Sequence, residues 1–515
     1  MRQRNMWDYI GLLGALLGLA VLLYRHRRFF HDDTYISLRY ARNLLNHGEL
    51  SWNLGERIEG YTNFLHVVSA AALMGIGLEP EFAVRFLNAL GVVALIFAFW
   101  TIAPRVLPGD ENAVVRALIV AAVGTTPAVA LWVLGGLETV VVAGLLSLGL
   151  LALLSEGGRA LRLPALAAAA LAFSIVVLTR LDAAVLIAGI GFGIFMGAPG
   201  GRGRAFLAAC IVTGIPALVS FAHMGWRFSY YGELLPLTFY AKAGLSYDIR
   251  LLWLPVFFGK AVFWVPIVWF GFLAMISAII RGPRDNVFWL AAAPLSFGAC
   301  YVVWSGGDHM PGARFLVPLV PFSALMLLAA LRPLSGGSTQ MVAAVTAILT
   351  LFGAFISPPQ HNDNAAFFGR ITAERIREAW PDGSLVALHT AGSTPFFADG
   401  FHYIDMLGLN DAHIAKRDDI PFPTAAPMQY MPGHAKGDAA YIVERAPDYI
   451  IAGPSMGTPV GKPWFLTDVE LSENAEFKSC YKMRVETLIT PERMRWLSPD
   501  ADLEHAFFYY ERTCD

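Results

Sequence analysis

His31-Asp32-Asp33-Thr34-Tyr35-Ile36-Ser37-Leu38-Arg39-Tyr40-Ala41-Arg42-Asn43 follows directly on an apolar run that begins near Tyr9. From Thr34 the pattern predicts an amphipathic helix. Arg39, Arg42, Asn43 and Asn46 fall on one face, while Ile36, Tyr40 and Leu44 share another, so the helix is expected along a membrane interface. Asp33 suits an N-cap, and a carboxylate is favoured near the positive end of a helix. Capping accounts for one carboxylate and leaves the second unexplained. Adjacent carboxylates repel and cost desolvation, which points to a cation ligand, a general base, or both.

The rest of the chain fits a membrane setting for this segment. Of 515 residues 56% are apolar and 15% charged, against about 25% charged in a soluble domain, which excludes an ordinary cytosolic enzyme. The net charge of −2 shows no basic excess, so nucleic acid is not the expected partner. Apolar runs long enough to cross begin near Tyr9, Glu81, Val114, Leu137, Leu163, Ala183, Ala205, Leu251, Val287, Phe315 and Met341. From Ser357-Pro358-Pro359 onward, charges, Pro and Gly recur every few residues. The division is a membrane domain over 1–357, with 31–80 as its first outer loop, and a soluble domain over 358–515.

Charge sets the orientation, because short cytoplasmic loops carry Arg and Lys. The turns holding Arg159/Arg162, Arg202/Arg204, Arg281/Arg284 and Arg332 fall between alternate spans, and Arg105 joins them. Arg2 and Arg4 share that side only if Thr62 to Leu78 does not cross. That run carries Thr62, Asn63, His66 and Ser69 as a polar stripe and is expected on the outer surface. The expectation is about eleven spans of roughly 20 residues each, N-terminus in and C-terminus out. Arg25, Arg27 and Arg28 then land outside, against the rule. The first run lacks a small-residue cleavage site and is expected to be a retained span.

In the outer domain Ser384–Thr390, His402–Leu409 and Pro447–Gly453 read as strands. Ala365–Trp380, Asp411–Arg417 and Asp438–Arg445 read as helices, giving a small α/β layer. Cys210 and Cys300 fall in spans. Cys480 and Cys514 fall in this domain, where an oxidising compartment and an even count predict a disulfide.

Glu138, Arg180, Asp182, Lys242 and the segment Asp308 to Arg314 map to the outer span ends. A single charge at a helix end is more often structural, because long side chains snorkel; Arg85 and Arg250 fall in that class. Convergence of several loops on one side is different, since the inward turns carry Arg and little else polar. Gly306-Gly307-Asp308-His309-Met310-Pro311-Gly312-Ala313-Arg314 is the densest, with glycines permitting close backbone approach and an Arg that can fork onto phosphate. Carboxylates and cations at the outer face suit sugar transfer from a lipid phosphate. A carboxylate takes the acceptor proton while Arg, Lys or a metal stabilises the departing phosphate. The other readings are a transporter or flippase of lipid-linked saccharides, which would show repeated halves and charged broken helices at mid-membrane, and a receptor or scaffold.

Asp32-Asp33 in the first outer loop resembles the membrane-integral GT-C glycosyltransferases, which use polyprenyl-phosphate sugars. More narrowly, Asp32 to Ser37 with Arg39 to Leu44, then Gly55-Glu56-Arg57-Ile58-Glu59-Gly60-Tyr61-Thr62-Asn63, is similar to the terminal β-(1→2)-arabinofuranosyltransferases of the mycobacterial cell wall and their bacterial relatives. So are Gly136 to Thr139, Tyr230-Tyr231-Gly232 with Leu235-Pro236, Ala241-Lys242, Gly307-Asp308 with Met310-Pro311, Arg314-Phe315, Ile404 to Asp411, Gly433-His434 with Lys436, and Pro447-Asp448-Tyr449. Phe64 stands where the pattern has Pro, and Leu237 where it has Asn.

The resemblance implies a polytopic helical GT-C fold and transfer of a sugar, such as arabinofuranose, from a polyprenyl-phosphate donor. The acceptor would be a cell-envelope glycan, lipid or protein at the periplasmic face of a bacterial inner membrane. It implies Asp32 and Asp33 as catalytic residues and ligands of a divalent cation (Mg, Mn or Ca). Donor contacts would come from Arg39, Glu59, Tyr61, Asn63, Glu138, Arg180, Asp182, Lys242, Asp308, His309 and Arg314. Asp405, Asp411 and His434 are expected on the acceptor side, and the protein is expected to be a monomer in contact with membrane lipids.

Overall fold

The computed structural model describes residues 4–154, 162–243, 251–281, 284–332, 337–357, 362–497 and 503–514. Arg2, Arg159, Arg250 and the boundary at Pro358-Pro359 lie outside the described residues. Through Ile356 the chain is helical. Its elements are α1 (Met6–Arg25), α2 (Asp32–His47), α3 (Phe64–Gly75), α4 (Pro80–Val106), α5 (Ala113–Gly124), α6 (Pro127–Gly135), α7 (Thr139–Leu153) and α8 (Leu163–Thr179). They continue with α9 (Ala184–Gly197), α10 (Arg202–Tyr231), α11 (Leu237–Ala243), α12 (Leu254–Trp264), α13 (Pro266–Arg281), α14 (Asn286–Ser305), α15 (Val320–Leu331) and α16 (Gly337–Ile356).

Among the described residues seven helices are long and apolar enough to cross a bilayer, and an eighth span forms if α12 and α13, bent by 97°, count as one. Pro266 sits at that bend, where its missing N–H interrupts the hydrogen-bond ladder. Thr139–Leu153, Leu163–Thr179 and Leu181–Gly197 are apolar but shorter. These segments coincide with the apolar runs of the sequence. Tight packing between α4 and α7 depends on glycine: a Cβ on Gly144 would stand 2.3 Å from the Gly91 carbonyl oxygen.

α3 is too short to span, at 12 residues. Its polar residues nonetheless turn inward and not to the surface. Asn63 and His66 are buried, and His66 Nε2 lies 3.0 Å from the Gly136 carbonyl oxygen. Arg25, on the unexpected side by charge, donates from Nη2 to the carbonyls of Phe355 (2.9 Å) and Ser357 (2.8 Å). It closes the C-terminal end of α16 on the end of α1, which gives this arginine a structural use.

The outer domain has a five-stranded mixed sheet in the order β2-β1-β3-β5-β4, with β1 (Leu385–Leu388), β2 (His402–Asp405), β3 (Tyr449–Ile451), β4 (Tyr481–Ile489) and β5 (Glu504–Arg512). β1 pairs in parallel with β2 (Val386 opposite Tyr403) and with β3 (Val386 opposite Tyr449). A buried parallel layer reads as continuous apolar sequence, as Leu385 to Leu388 does. β3 and β4 pair antiparallel with β5. The helices include α17 (Asn364–Ala379), α18 (Ser393–Phe397), α19 (Ala412–Lys416) and α20 (Ala439–Glu444).

Cys480 and Cys514 form a disulfide across the open end of the β4/β5 hairpin, 34 residues apart. A loop of that length removes chain entropy worth about 3–4 kcal/mol from the unfolded ensemble. Cys480→Ser is therefore expected to lower the thermal midpoint of the outer domain in the full chain, and reductant should reproduce the shift in the wild type only.

Candidate active site

Between the outer helix ends and the outer domain lies one cavity of about 320 Å³. α2 and the loop after it contribute Asp33, Ser37, Tyr61 and Asn63; the start of α7 contributes Glu138; the α8–α9 turn contributes Arg180 and Asp182. Lys242 enters from α11, Asp308 and Arg314 from the segment after α14, and Leu409 and Pro432 from the outer domain.

Most of the charge here is neutralised internally. Arg180 donates from Nη1 to Glu138 (2.7 Å) and from Nε and Nη2 to Asp182 (2.8 and 2.9 Å). Glu138 also accepts from Asn63 Nδ2 at 2.9 Å, and the Asn63 carbonyl oxygen accepts from Ser37 Oγ at 3.1 Å. Tyr301 donates to Asp182 at 2.8 Å. Arg314 Nε donates to Asp308 at 2.9 Å, and Asp308 also accepts from the Met310 N–H at 3.1 Å. Burial opposes ionisation of Asp308, but Arg314, His309 and Lys242 outweigh it and hold its carboxyl well below the usual range. The Gly312 and Ala313 backbone takes left-handed φ values of 76° and 49°, which turns the chain sharply enough to return Arg314 to Asp308.

Two charges in the cavity are uncommitted. The Asp33 carboxylate accepts no hydrogen bond among the described residues; its nearest basic atom is His31 Nδ1 at 4.0 Å. Lys242 forms no ion pair or hydrogen bond among the described residues. Burial pushes its ammonium down from the usual lysine value, against the pull of Asp308 and Asp33.

The first turn of α2 differs from the sequence expectation. The helix starts at Asp32, and its cap is His31, whose side chain accepts from the Asp33 N–H. Asp32 faces away from the cavity. Its carboxylate accepts from the backbone N–H groups of Gly392 (3.1 Å) and Ser393 (2.8 Å), and its own N–H donates to Asp363 at 2.9 Å. Burial, reinforced by Asp363, pushes the Asp32 carboxyl up. With Asp32 directed at the outer domain, the pair does not converge as a cation site. Among the described residues no group of three His, Cys, Asp or Glu is placed to hold a metal.

Arg39 is also corrected. Its guanidinium is buried, donating to the Trp52 carbonyl at 2.6 Å and to the Pro395 carbonyl, so it fastens α2 to the outer domain and does not reach the cavity. Glu59 lies behind the wall in an ion pair with Arg227 at 2.5 Å. Tyr61 shares a hydroxyl contact of 3.0 Å with Tyr231.

On the acceptor side, Asp405 closes a turn after β2 by accepting from the Leu407 and Asn410 N–H groups at 3.0 and 2.8 Å. Burial pushes its carboxyl up to about 6. Asp411 caps α19 through the Ile414 N–H and accepts from Tyr441. Both are structural and away from the cavity. His434 packs edge-on against His309 with ring centroids 4.5 Å apart, and burial lowers it to about 4; the pair stands beside Asp308 without lining the cavity.

The sequence reading missed Arg227 and Tyr301, which do line it. Arg227 had a signal: a lone cation inside the apolar run of α10, where an ionisable residue marks a pathway or a partner. Tyr301 had none, because aromatic residues are common at span ends.

This arrangement recurs in overall shape elsewhere. ArnT from Cupriavidus metallidurans bound to undecaprenyl phosphate superposes with a TM-score of 0.53 over 98% of each chain, at 13% identity. The chain has the GT-C fold. The Archaeoglobus fulgidus oligosaccharyltransferase in its apo form gives a TM-score of 0.53 over 90% of this chain and 72% of its own, again at 13% identity. A family model described as a domain of unknown function (DUF8728) matches residues 362–499. No curated protein sequence matches.

Proposed function

We propose that the protein is a membrane glycosyltransferase that moves a sugar from a polyprenyl-phosphate donor to an acceptor hydroxyl at the outer face. The observation that carries this is the pair of uncommitted charges, Asp33 and Lys242, in a cavity whose other ions are paired. Asp33 takes the proton of the acceptor hydroxyl, whose oxygen bonds to the anomeric carbon. The bond from that carbon to the phosphate oxygen breaks, its electron pair stays on the phosphate, and Lys242 neutralises the charge formed. Phe239, Trp304 and Phe315 supply apolar wall suited to the lipid.

The finer reading follows the resemblance. It places the protein in a bacterial inner membrane with N-terminus in and a periplasmic outer domain, as a monomer acting on a cell-envelope glycan, lipid or protein. A pentofuranose such as arabinofuranose is its donor sugar.

The test is purified protein with a panel of polyprenyl-phosphate sugars and candidate acceptors, with release of polyprenyl phosphate and the glycosidic product both measured. Movement of labelled lipid across vesicles with no new glycosidic bond would replace this reading by transport. Lys242→Ala is expected to lower kcat/KM for the donor tenfold to about a hundredfold, the loss of a charge-assisted hydrogen bond of about 1.5–3 kcal/mol. An unchanged kcat/KM would remove Lys242 from the donor site.

A further inference from the structure

Asp32 and Asp33 are adjacent on a helix, so their side chains diverge by about 100°, and fixing one fixes the other. We propose that Asp32 is a positioning residue: it docks the outer domain on the first turn of α2 and thereby sets the direction in which Asp33 enters the cavity. This rests on the reading of Asp33 as the base.

The contact is built from both sides. The Asp32 carboxylate receives the N–H groups of Gly392 and Ser393 at the start of α18. About two and three turns further along α2, Arg39 and Arg42 donate to the carbonyls of Pro395 and Phe396 in the later part of that short helix, the latter at 2.7 Å. An anion meets the donor end and two cations meet the acceptor end, which fixes the polarity of docking. Asp363, the N-cap of α17, binds the Asp32 N–H. The approach at Gly392 leaves no room: a Cβ there would lie 2.1 Å from the Asp32 carbonyl oxygen and 2.5 Å from its Oδ2. The outer domain is thus part of the catalytic loop's geometry, and Asp32 acts without touching substrate.

Gly392→Ala and Ser393→Pro test this on the full-length protein. The first forces Asp32 aside. The second removes one N–H at the first residue of α18, and proline there also disfavours the Gly392 backbone (φ −94°, ψ −88°) that presents it. Both are expected to lower kcat by about tenfold to a hundredfold, as a misplaced reacting group does, with the donor KM within about threefold of wild type. Ser393→Pro should lose more than Ser393→Ala, and Asp32→Ala more than Asp32→Asn, which keeps an acceptor oxygen. Hydrogen exchange at residues 33–37 should accelerate in Gly392→Ala and Ser393→Pro. An unchanged kcat in both, or a loss confined to donor KM, overturns the proposal. If the wild type transfers no sugar, the exchange measurement still decides: unchanged protection in both variants overturns the docking role independently of the reaction.

Discussion

Asp33→Asn is expected to give a protein that inserts, folds and binds donor lipid but transfers sugar about 10²–10⁴-fold more slowly, the usual contribution of a positioned general base. The substitution keeps the size and shape of the side chain and removes only its ability to accept a proton. No hydrogen bond among the described residues holds the Asp33 carboxylate, so replacing it strips no partner from the fold. Stability should therefore stay close to wild type. That separates Asp33 from Asp32, whose carboxylate oxygens are both occupied. The measurement is kcat with donor KM on purified protein, with a melting curve as control. Full activity in Asp33→Asn would remove the base from the mechanism, and a loss carried wholly by KM would make Asp33 a binding group.

The same two residues show how far sequence reading reaches. That a carboxylate pair stood at the outer rim was readable, because lipid demands continuous apolar runs and charge is then visible against them. Which carboxylate faced the cavity was not. The choice is made by Gly392 and Ser393, 360 and 361 residues away, and no local pattern records such a partner. Arg39 fails for the same reason: its expected place on a polar helix face is correct, but that face meets the outer domain and not headgroups. Thr62 to Leu78 was readable as non-crossing from the parity of the Arg-bearing turns, whereas the inward aim of its polar stripe depends on Glu138 and Gly136. In the outer domain the buried strands β1 to β3 carry apolar runs and were legible. β4 was not, because Lys482, Met483, Arg484 and Val485 are all exposed on an edge strand and show no alternation to read.

Glu138→Ala is expected to cause the largest loss of stability, about 3 kcal/mol, the lower range for breaking a buried ion pair from one side. Glu138 is 1% exposed and links four parts of the site. It accepts from Arg180 and from Asn63, Asn63 in turn holds Ser37 of α2, and Arg180 reaches Asp182 and so Tyr301 of α14. Removing it leaves the Asn63 amide without its acceptor and Arg180 with one carboxylate where it had two. Arg180 keeps Asp182, which is why the loss falls at the low end. Glu138→Gln retains the shape and one acceptor oxygen and is expected to recover part of the loss. Because Asn63 and Glu138 are in direct contact, Asn63→Ala and Glu138→Ala should be non-additive by about 1 kcal/mol in a double-mutant cycle. Melting in detergent, followed for the four proteins of that cycle, reads this directly. Additive effects would mean the two residues act separately, and a wild-type melting point for Glu138→Ala would show that the network does not hold α2, α7 and α14 together.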